Sequence, residues 1–293
     1  MIKGKKFKST AKIPDALDAS LTSQISDLFE RKGWPIEIDS DHNISRFNRF
    51  CLMLEGLAKD EQSLLLELSE HYLTIGFPVY INHLEIVLCK ALTADGNNVF
   101  SKLYFMPLIA PEDKGKIKSG PILTYMLTGT DLLYSAILKG KERIIVNDSF
   151  TYKNQINKSN SSVLILVDDF IGTGETAVHA LGDLFKQDFR NDKIIVISLV
   201  AQQEGLNRIH DLGVKAYTSI EHSKGISDNF LGEDGMMRLN IMNSIELKRR
   251  IDKGYKWGYG QSEALVTMGK TPDNTFPIFW YEKNKQIAPF PRC

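Results

Sequence analysis

The residues best suited to chemistry lie between Val163 and Thr176, which read Val-Leu-Ile-Leu-Val-Asp-Asp-Phe-Ile-Gly-Thr-Gly-Glu-Thr. An apolar run leads into two carboxylates, Asp168 and Asp169. A Gly/Thr loop follows, and a helical pattern opens at Glu175. In such a loop Gly172, Thr173 and Gly174 let an anion approach the backbone closely. The first N–H groups of the helix, at Glu175 and Thr176, add partial positive charge. Thr173 and Thr176 add hydroxyl donors. This favours a phosphate. Carboxylates so close to a phosphate do not ligate it, but they accept hydrogen bonds from a sugar diol and bind hard cations. The segment therefore proposes a phosphate beside a ribose, with or without a metal such as magnesium between them.

Four other readings of these residues compete. Gly172-Thr-Gly174-Glu-Thr-Ala177 matches the dinucleotide fingerprint GxGxxA, but there the first glycine follows the strand closely and no acidic pair sits at the pyrophosphate. Leu164 to Asp169 also reads like the magnesium-holding strand of P-loop NTPases, yet no GxxxxGK(S/T) precedes it. Gly269-Lys270-Thr271 has Ala264 where the first glycine belongs, and it falls downstream. His83-Leu-Glu85 lacks the PCxxC partner of zinc deaminases. Finally, an ordinary strand-to-helix turn needs one capping Asp or Thr, not paired Asp, paired Gly and paired Thr.

The elements that position this loop follow from periodicity. Pro14 to Arg31, Ile44 to Ala58, Glu61 to Ile75 and Ile81 to Leu92 carry apolar residues at helical spacing. Asp95-Gly-Asn-Asn98 is a strong turn signal. Beyond it, Leu103–Ala110, Arg143–Asn147, Val163–Val167 and Ile194–Val200 are short apolar runs. They alternate with helical stretches at Pro121–Lys139, Glu175–Lys186 and Gln202–Leu212. Runs buried on both faces between helices imply an α/β fold with a mostly parallel sheet. We place a helical N-terminal region at 1–95, suited to assembly or partner contact, and an α/β domain at 96–293. Residues 218–276 show no clear period, and Phe276–Tyr281 reads as a closing aromatic strand.

Composition narrows the classes. The 293 residues are 43% hydrophobic and 25% charged, which excludes a disordered or collagen-like chain. Lys+Arg and Asp+Glu are both 36, so the overall field does not drive nucleic-acid binding. The three cysteines, Cys51, Cys89 and Cys293, form no CxxC pair and suit a reducing compartment. Lysines between Lys3 and Lys12 lead into no apolar stretch, and no run of about 18 apolar residues occurs. A cytoplasmic protein without a membrane span is expected.

The stretch from Val163 to Thr176 resembles, without a gap, the phosphoribosyl diphosphate (PRPP) motif of type I phosphoribosyltransferases: apolar strand, two acidic residues, then x-x-x-T-G-x-T. The alternating elements of about residues 99–217 agree with that family's fold. The resemblance implies that Asp168 and Asp169 bind the ribose hydroxyls and magnesium, and that Gly172, Thr173, Gly174, Glu175 and Thr176 wrap the 5′-phosphate. It assigns pyrophosphate to the loop after the first core strand, here Lys116, Lys118, Ser119 and Gly120. Gly172 stands where many purine-specific members carry Asp, which weighs against hypoxanthine or guanine salvage. Thr271-Pro-Asp-Asn-Thr-Phe-Pro-Ile-Phe-Trp-Tyr281 is similar to the closing segment of phosphoribosyltransferase-like effectors of bacterial conflict systems, some encoded beside retron reverse transcriptases. That likeness implies a glycosyltransferase-like antiviral effector working as a homo-oligomer or in a hetero-complex, with a reverse transcriptase and its nucleic acid as the partner. A non-catalytic phosphoribosyl sensor and a nucleotide-salvage enzyme are the alternatives.

Overall fold

The structure is a computed structural model describing residues 17–37, 45–94, 96–116, 118–283 and 286–292. The lysine run before residue 12, Ile44, Asp95 and Cys293 lie outside the described residues. Helices α1 (Ala19–Lys32), α2 (Arg46–Leu54) and α3 (Lys59–Glu70) come first, followed by a short strand β1 (Leu73–Thr74) and α4 (Tyr80–Thr93). Then come β2 (Lys102–Pro107), α5 (Gly120–Met126), α6 (Thr130–Leu133), β3 (Glu142–Ile145), α7 (Ser149–Lys158) and β4 (Ser162–Ile171). The chain continues through α8 (Glu175–Lys186), β5 (Ile194–Ala201), α9 (Gln203–His210), β6 (Lys215–Glu221), α10 (Gly232–Lys248) and β7 (Val266–Thr267).

The main sheet has the order β3-β2-β4-β5-β6, and every neighbouring pair is parallel. Both faces are covered, which is why β4 and β5 are apolar almost throughout. Side chains alternate between faces. Leu103, Phe105, Val163, Ile165 and Val167 meet Leu84, Val87 and Leu88 of α4 on one side. Tyr104, Leu164 and Leu166 meet Leu181 and Leu184 of α8 and Ile209 of α9 on the other. Burying each such side chain stabilises by about 1.5–3 kcal/mol.

Strand order also fixes where a ligand can enter. After β2 the chain steps outward to β3, then returns to β4 and proceeds the opposite way. Such a reversal opens a crevice at the carboxyl ends of the two strands. Pro107 ends β2 opposite Val167, while β4 runs on to Ile171 paired with β5 alone. Asp168 is thus the first residue of β4 past its partner strand, and the loops after β2 and β4 face each other across the gap.

The helices before residue 95 are divided between two cores. The buried face of α4 (Leu84, Val87, Leu88, Ala91) belongs to the sheet. In contrast, Ile25 and Phe29 of α1, Phe50 of α2 and Leu65 of α3 share a core with Met242 and Ile245 of α10 and with Phe276, Phe279 and Phe290. Three sequence expectations change. Helix α3 stops at Glu70 because Leu73 and Ile75 donate their N–H groups to Leu265 and Thr267, pairing β1 with β7. Pro121–Lys139 is broken into α5, α6 and a short 3-10 turn at Ala136–Leu138, with Gly129 in extended backbone between the first two. Phe276–Tyr281 is not a strand: Pro277 has no N–H to give a ladder. Pro277–Phe279 forms a buried 3-10 turn whose Phe279 ring packs 4.9 Å from Tyr72.

Candidate active site

The two aspartates at the crevice are held by a serine and a tyrosine. Ser119 Oγ lies 2.9 Å from Asp168 Oδ1 and 2.7 Å from Asp169 Oδ1. Asp169 Oδ2 accepts from Tyr80 at 2.9 Å, and Asp168 Oδ1 also accepts the N–H of Asp169 at 2.9 Å. A hydroxyl carries one hydrogen, so Ser119 donates to one carboxylate and meets the other lone pair to lone pair. That contact calls for a proton or a cation between the oxygens. Burial, reinforced by the Asp169 charge, pushes the Asp168 carboxyl well above the usual carboxylate range. Paired carboxylates and a hydroxyl form an all-oxygen donor set, which fits magnesium. Among the described residues no cluster of three or more His, Cys, Asp or Glu forms a metal cage. An ion here would take its remaining ligands from a substrate or water, as magnesium commonly does.

Ser119 reaches the pair because Gly120 follows it. A Cβ at Gly120 would stand 2.8 Å from the Pro107 side chain and 3.2 Å from the Val167 carbonyl, so glycine lets the start of α5 settle against β2 and β4. Pro121 then occupies the first turn of α5, as its sequence position implied.

The loop Gly172–Gly174 joins β4 to α8 in one tight bend. Gly174 has φ +79°, which L side chains rarely adopt, and a Cβ there would stand 2.9 Å from Gly205 on α9. Among the described residues nothing accepts the N–H groups of Gly172, Thr173 or Gly174, nor bonds the hydroxyls of Thr173 and Thr176. The first-turn N–H groups of α8 have no intrahelical acceptor either. This concentration of free donors is what an anion site requires. Glu175 offers its backbone N–H; its carboxylate lies beside the Tyr259 hydroxyl and raises that phenol's pKa.

The loop after β2 lies across the start of α8. His179 Nδ1 stands 2.6 Å from Glu112 Oε1, and both side chains are half-exposed. Lys116 and Lys118 both reach the crevice, and each is bonded to Asp113 at 2.7 Å. The two ammonium groups hold the Asp113 carboxyl below its ordinary range. The structure thus brings Asp168, Asp169, Gly172–Thr176, Lys116, Lys118 and Ser119 to one crevice, with the two lysines engaged by Asp113; Gly120 lies buried behind it, and His83 and Glu85 bond Ser219 and Ser135 away from it.

Two lobes make up the cleft. One, of about 350 Å³, is lined by Gly172–Thr176, His179 and Tyr259; the other, of about 490 Å³, by Ser119, Ile122, Asp169, Thr176, Lys270 and Arg292. Asp113, Lys116, Lys118, Asp168, Asp273 and Asn274 line both. Arg292 pairs with Asp273. Tyr80, Tyr259, Lys270, Asp273, Asn274 and Arg292 were missed by sequence reasoning. Only Lys270 stood in a pattern, Gly269-Lys270-Thr271, that invites a phosphate reading. A strap over Trp257–Glu263 covers the side of the Gly172–Gly174 loop: Trp257, Gln261 and Glu263 have φ of 57°, 56° and 50°, and a Cβ at Gly260 would stand 2.9 Å from Thr173.

The family model of PRTase-CE matches residues 77–292, which include α4, the whole sheet and every cleft residue named above. Among solved structures, orotate phosphoribosyltransferase from Aeropyrum pernix is 13% identical, with 59% of this chain and 75% of that chain covered and a TM-score of 0.29. An APRTase from Giardia lamblia, in complex with 9-deazaadenine, is 13% identical over 50% of this chain and 81% of that chain, with a TM-score of 0.31. Orotate phosphoribosyltransferase from Mycobacterium tuberculosis H37Rv, in complex with inorganic phosphate, is 16% identical over 56% of this chain and 96% of that chain, with a TM-score of 0.29. Comparison with curated proteins gives no match. Among the described residues no helix is long and apolar enough to cross a membrane. With its match extending over most of its length, the chain belongs to the PRTase-CE family.

Proposed function

We propose that the protein binds PRPP or a related phosphoribosyl ligand with magnesium and transfers the phosphoribosyl group to a nitrogen acceptor. One observation carries this reading: a carboxylate pair and a loop of free N–H donors open side by side into one crevice. The loop Gly172–Thr176 takes the 5′-phosphate, and Asp168 and Asp169 take the ribose hydroxyls and hold the ion. Magnesium, when bound there, supplies positive charge beside the diphosphate. The bond between C1 and pyrophosphate breaks, and its electron pair leaves with the pyrophosphate. The nitrogen lone pair then forms the new bond at the oxocarbenium-like carbon, and the hydrogen that an N–H acceptor carried leaves as a proton to the pyrophosphate or to water. Lys116 and Lys118 stabilise the departing charge once they exchange Asp113 for it. Incubation with PRPP, magnesium and candidate acceptors should release pyrophosphate. PRPP left unbound in calorimetry, with no pyrophosphate released, would sink the reading.

A second reading has its own support. Lys116, Lys118 and Ser119 are all satisfied by aspartates of this chain, which suits a sensor that holds a phosphoribosyl ligand without turnover. PRPP binding without pyrophosphate release would decide for it.

At the level of the cell, we infer a role as an effector of bacterial antiviral defence of the retron type. What supports it is the likeness of Thr271–Tyr281 to the closing segment of such effectors. The helices before residue 95 serve assembly in that reading, as a homo-oligomer or with a reverse transcriptase and its nucleic acid. Sedimentation of the full chain as a monomer, together with failure to co-purify with a co-expressed retron reverse transcriptase, would remove this part.

A further inference from the structure

Asn274 is fixed in the wall that the two lobes share. Its backbone is pinned, because the carbonyl accepts from Ser262 Oγ at 2.6 Å and from the N–H of Ala264 at 3.2 Å. Its side chain is oriented as well. Nδ2 donates to the Tyr259 carbonyl at 3.2 Å. A carbonyl only accepts, so the flipped amide would set two oxygens against each other. Oδ1 is left over, and among the described residues nothing donates to it. The amide also occupies the space beside the bend between Asp169 and the phosphate loop. A Cβ on Gly172 would stand 2.7 Å from Nδ2 and 2.8 Å from Cγ. Glycine at 172 is therefore what admits Asn274 to this place.

From this geometry we propose that Asn274 determines ligand specificity, its Oδ1 accepting a hydrogen bond from an N–H or O–H donor on the group carried at C1 of the ribose. The assignment rests on the phosphoribosyl reading of the cleft. With the 5′-phosphate in the loop and the diol at Asp168 and Asp169, the sugar spans the region where the lobes meet, and Asn274 belongs to both. An oriented acceptor with no internal partner favours a ligand that supplies a donor, since an unpaired polar group is costly once water is displaced. The class selected is a nitrogenous group with an amino or imino hydrogen.

The test compares calorimetric affinities for ribose 5-phosphate and for AMP, GMP, CMP and UMP, all with magnesium. Wild type should bind at least one nucleotide more tightly than ribose 5-phosphate and should rank the four. Asn274→Ala should reduce that preference about tenfold, as expected for one hydrogen bond, and leave ribose 5-phosphate within about twofold. Gly172→Ala, which displaces the amide, should reduce the same nucleotide-to-ribose 5-phosphate ratio; it reports should Asn274→Ala fold poorly. Ratios unchanged in the folded variants, or a wild type that does not rank the nucleotides, would overturn the role of Asn274 while leaving the phosphoribosyl site standing. A wild type that binds neither ribose 5-phosphate nor any nucleotide would overturn both.

Discussion

Tyr80, in the first turn of α4, donates its phenolic hydrogen to Asp169 Oδ2 over 2.9 Å. The Tyr80 hydroxyl oxygen in turn accepts the N–H of Gly269 at 2.8 Å. One buried hydroxyl thus ties the carboxylate pair to the backbone that precedes Lys270. Burial, then the Asp169 charge, raises the phenol far above its ordinary range, so it remains a donor at any working pH. Tyr80→Phe leaves a buried carboxylate oxygen and a backbone N–H each short of a partner. A loss of about 1–3 kcal/mol is expected, read as a lower urea midpoint. An unchanged midpoint would show that the contact is incidental.

Substituting both aspartates separates binding from folding. Asp168→Asn with Asp169→Asn preserves volume and removes the like-charge repulsion that the fold contains. Stability should therefore hold or rise near neutral pH. On the proposed reading the variant lacks the charge that would hold magnesium, so PRPP affinity in the presence of magnesium should fall at least about tenfold, about 1.4 kcal/mol. Undiminished affinity by calorimetry would remove both residues from the site.

At Gly174 the demands of the fold coincide with those of the proposed phosphate site. Its φ of +79° and the 2.9 Å approach to Gly205 leave no room for a side chain without strain. Gly174→Ala should cost roughly 1–3 kcal/mol. It should also weaken phosphate binding in the molecules that stay folded, since the loop must shift. Normal phosphate affinity in a destabilised variant would mean that the loop is structural only.

How legible the site was depended on chain distance. Val163 to Thr176 could be read because strand, acidic pair, bend and helix start are consecutive, and each leaves a local signature. Helix α4 was legible for the same reason. Tyr80, Tyr259 and Asn274 were not, since each is an ordinary residue in its own neighbourhood and reaches the cleft only through tertiary packing. Helix α10 escaped because its apolar residues do not form one stripe. Met242 and Ile245 are buried while Met236, Met237 and Leu247 are exposed. The aromatic stretch Phe276–Tyr281 looked like a strand because β propensity and burial in a turn leave the same composition.

The aromatic core of the first three helices gives a stability prediction independent of the cleft. The Phe29 ring, fully buried, packs 5.2 Å from Trp34 and 5.5 Å from Phe50. Phe29→Ala should cost about 3–5 kcal/mol through lost transfer energy and a residual cavity. PRPP affinity per folded molecule should not move, because no residue of this core lines the cleft. A matching loss of affinity would mean that the helices act on the site directly.

Glu246 makes stability depend on pH. It lies on α10, nearly all of it buried, and its carboxyl oxygens accept the N–H of Trp257 at 3.0 and 3.3 Å where the strap begins. Burial raises its pKa from an ordinary 4.5 to about 7, against smaller opposing pulls from that N–H and from Lys256. The folded state therefore keeps a proton that the unfolded chain loses, and deprotonation favours unfolding. The stabilisation is complete below about pH 4.5 and fades as pH rises through about 7, by up to roughly 3 kcal/mol. Asp168 titrates with the same sign, so the comparison must be with a variant rather than with a flat line. Glu246→Gln keeps an acceptor for Trp257 and has nothing to titrate. The difference in urea unfolding free energy between wild type and this variant should shift against wild type between pH 5 and 8. A difference constant over that range would show that Glu246 is ionised in the fold, and the strap would then owe nothing to its proton.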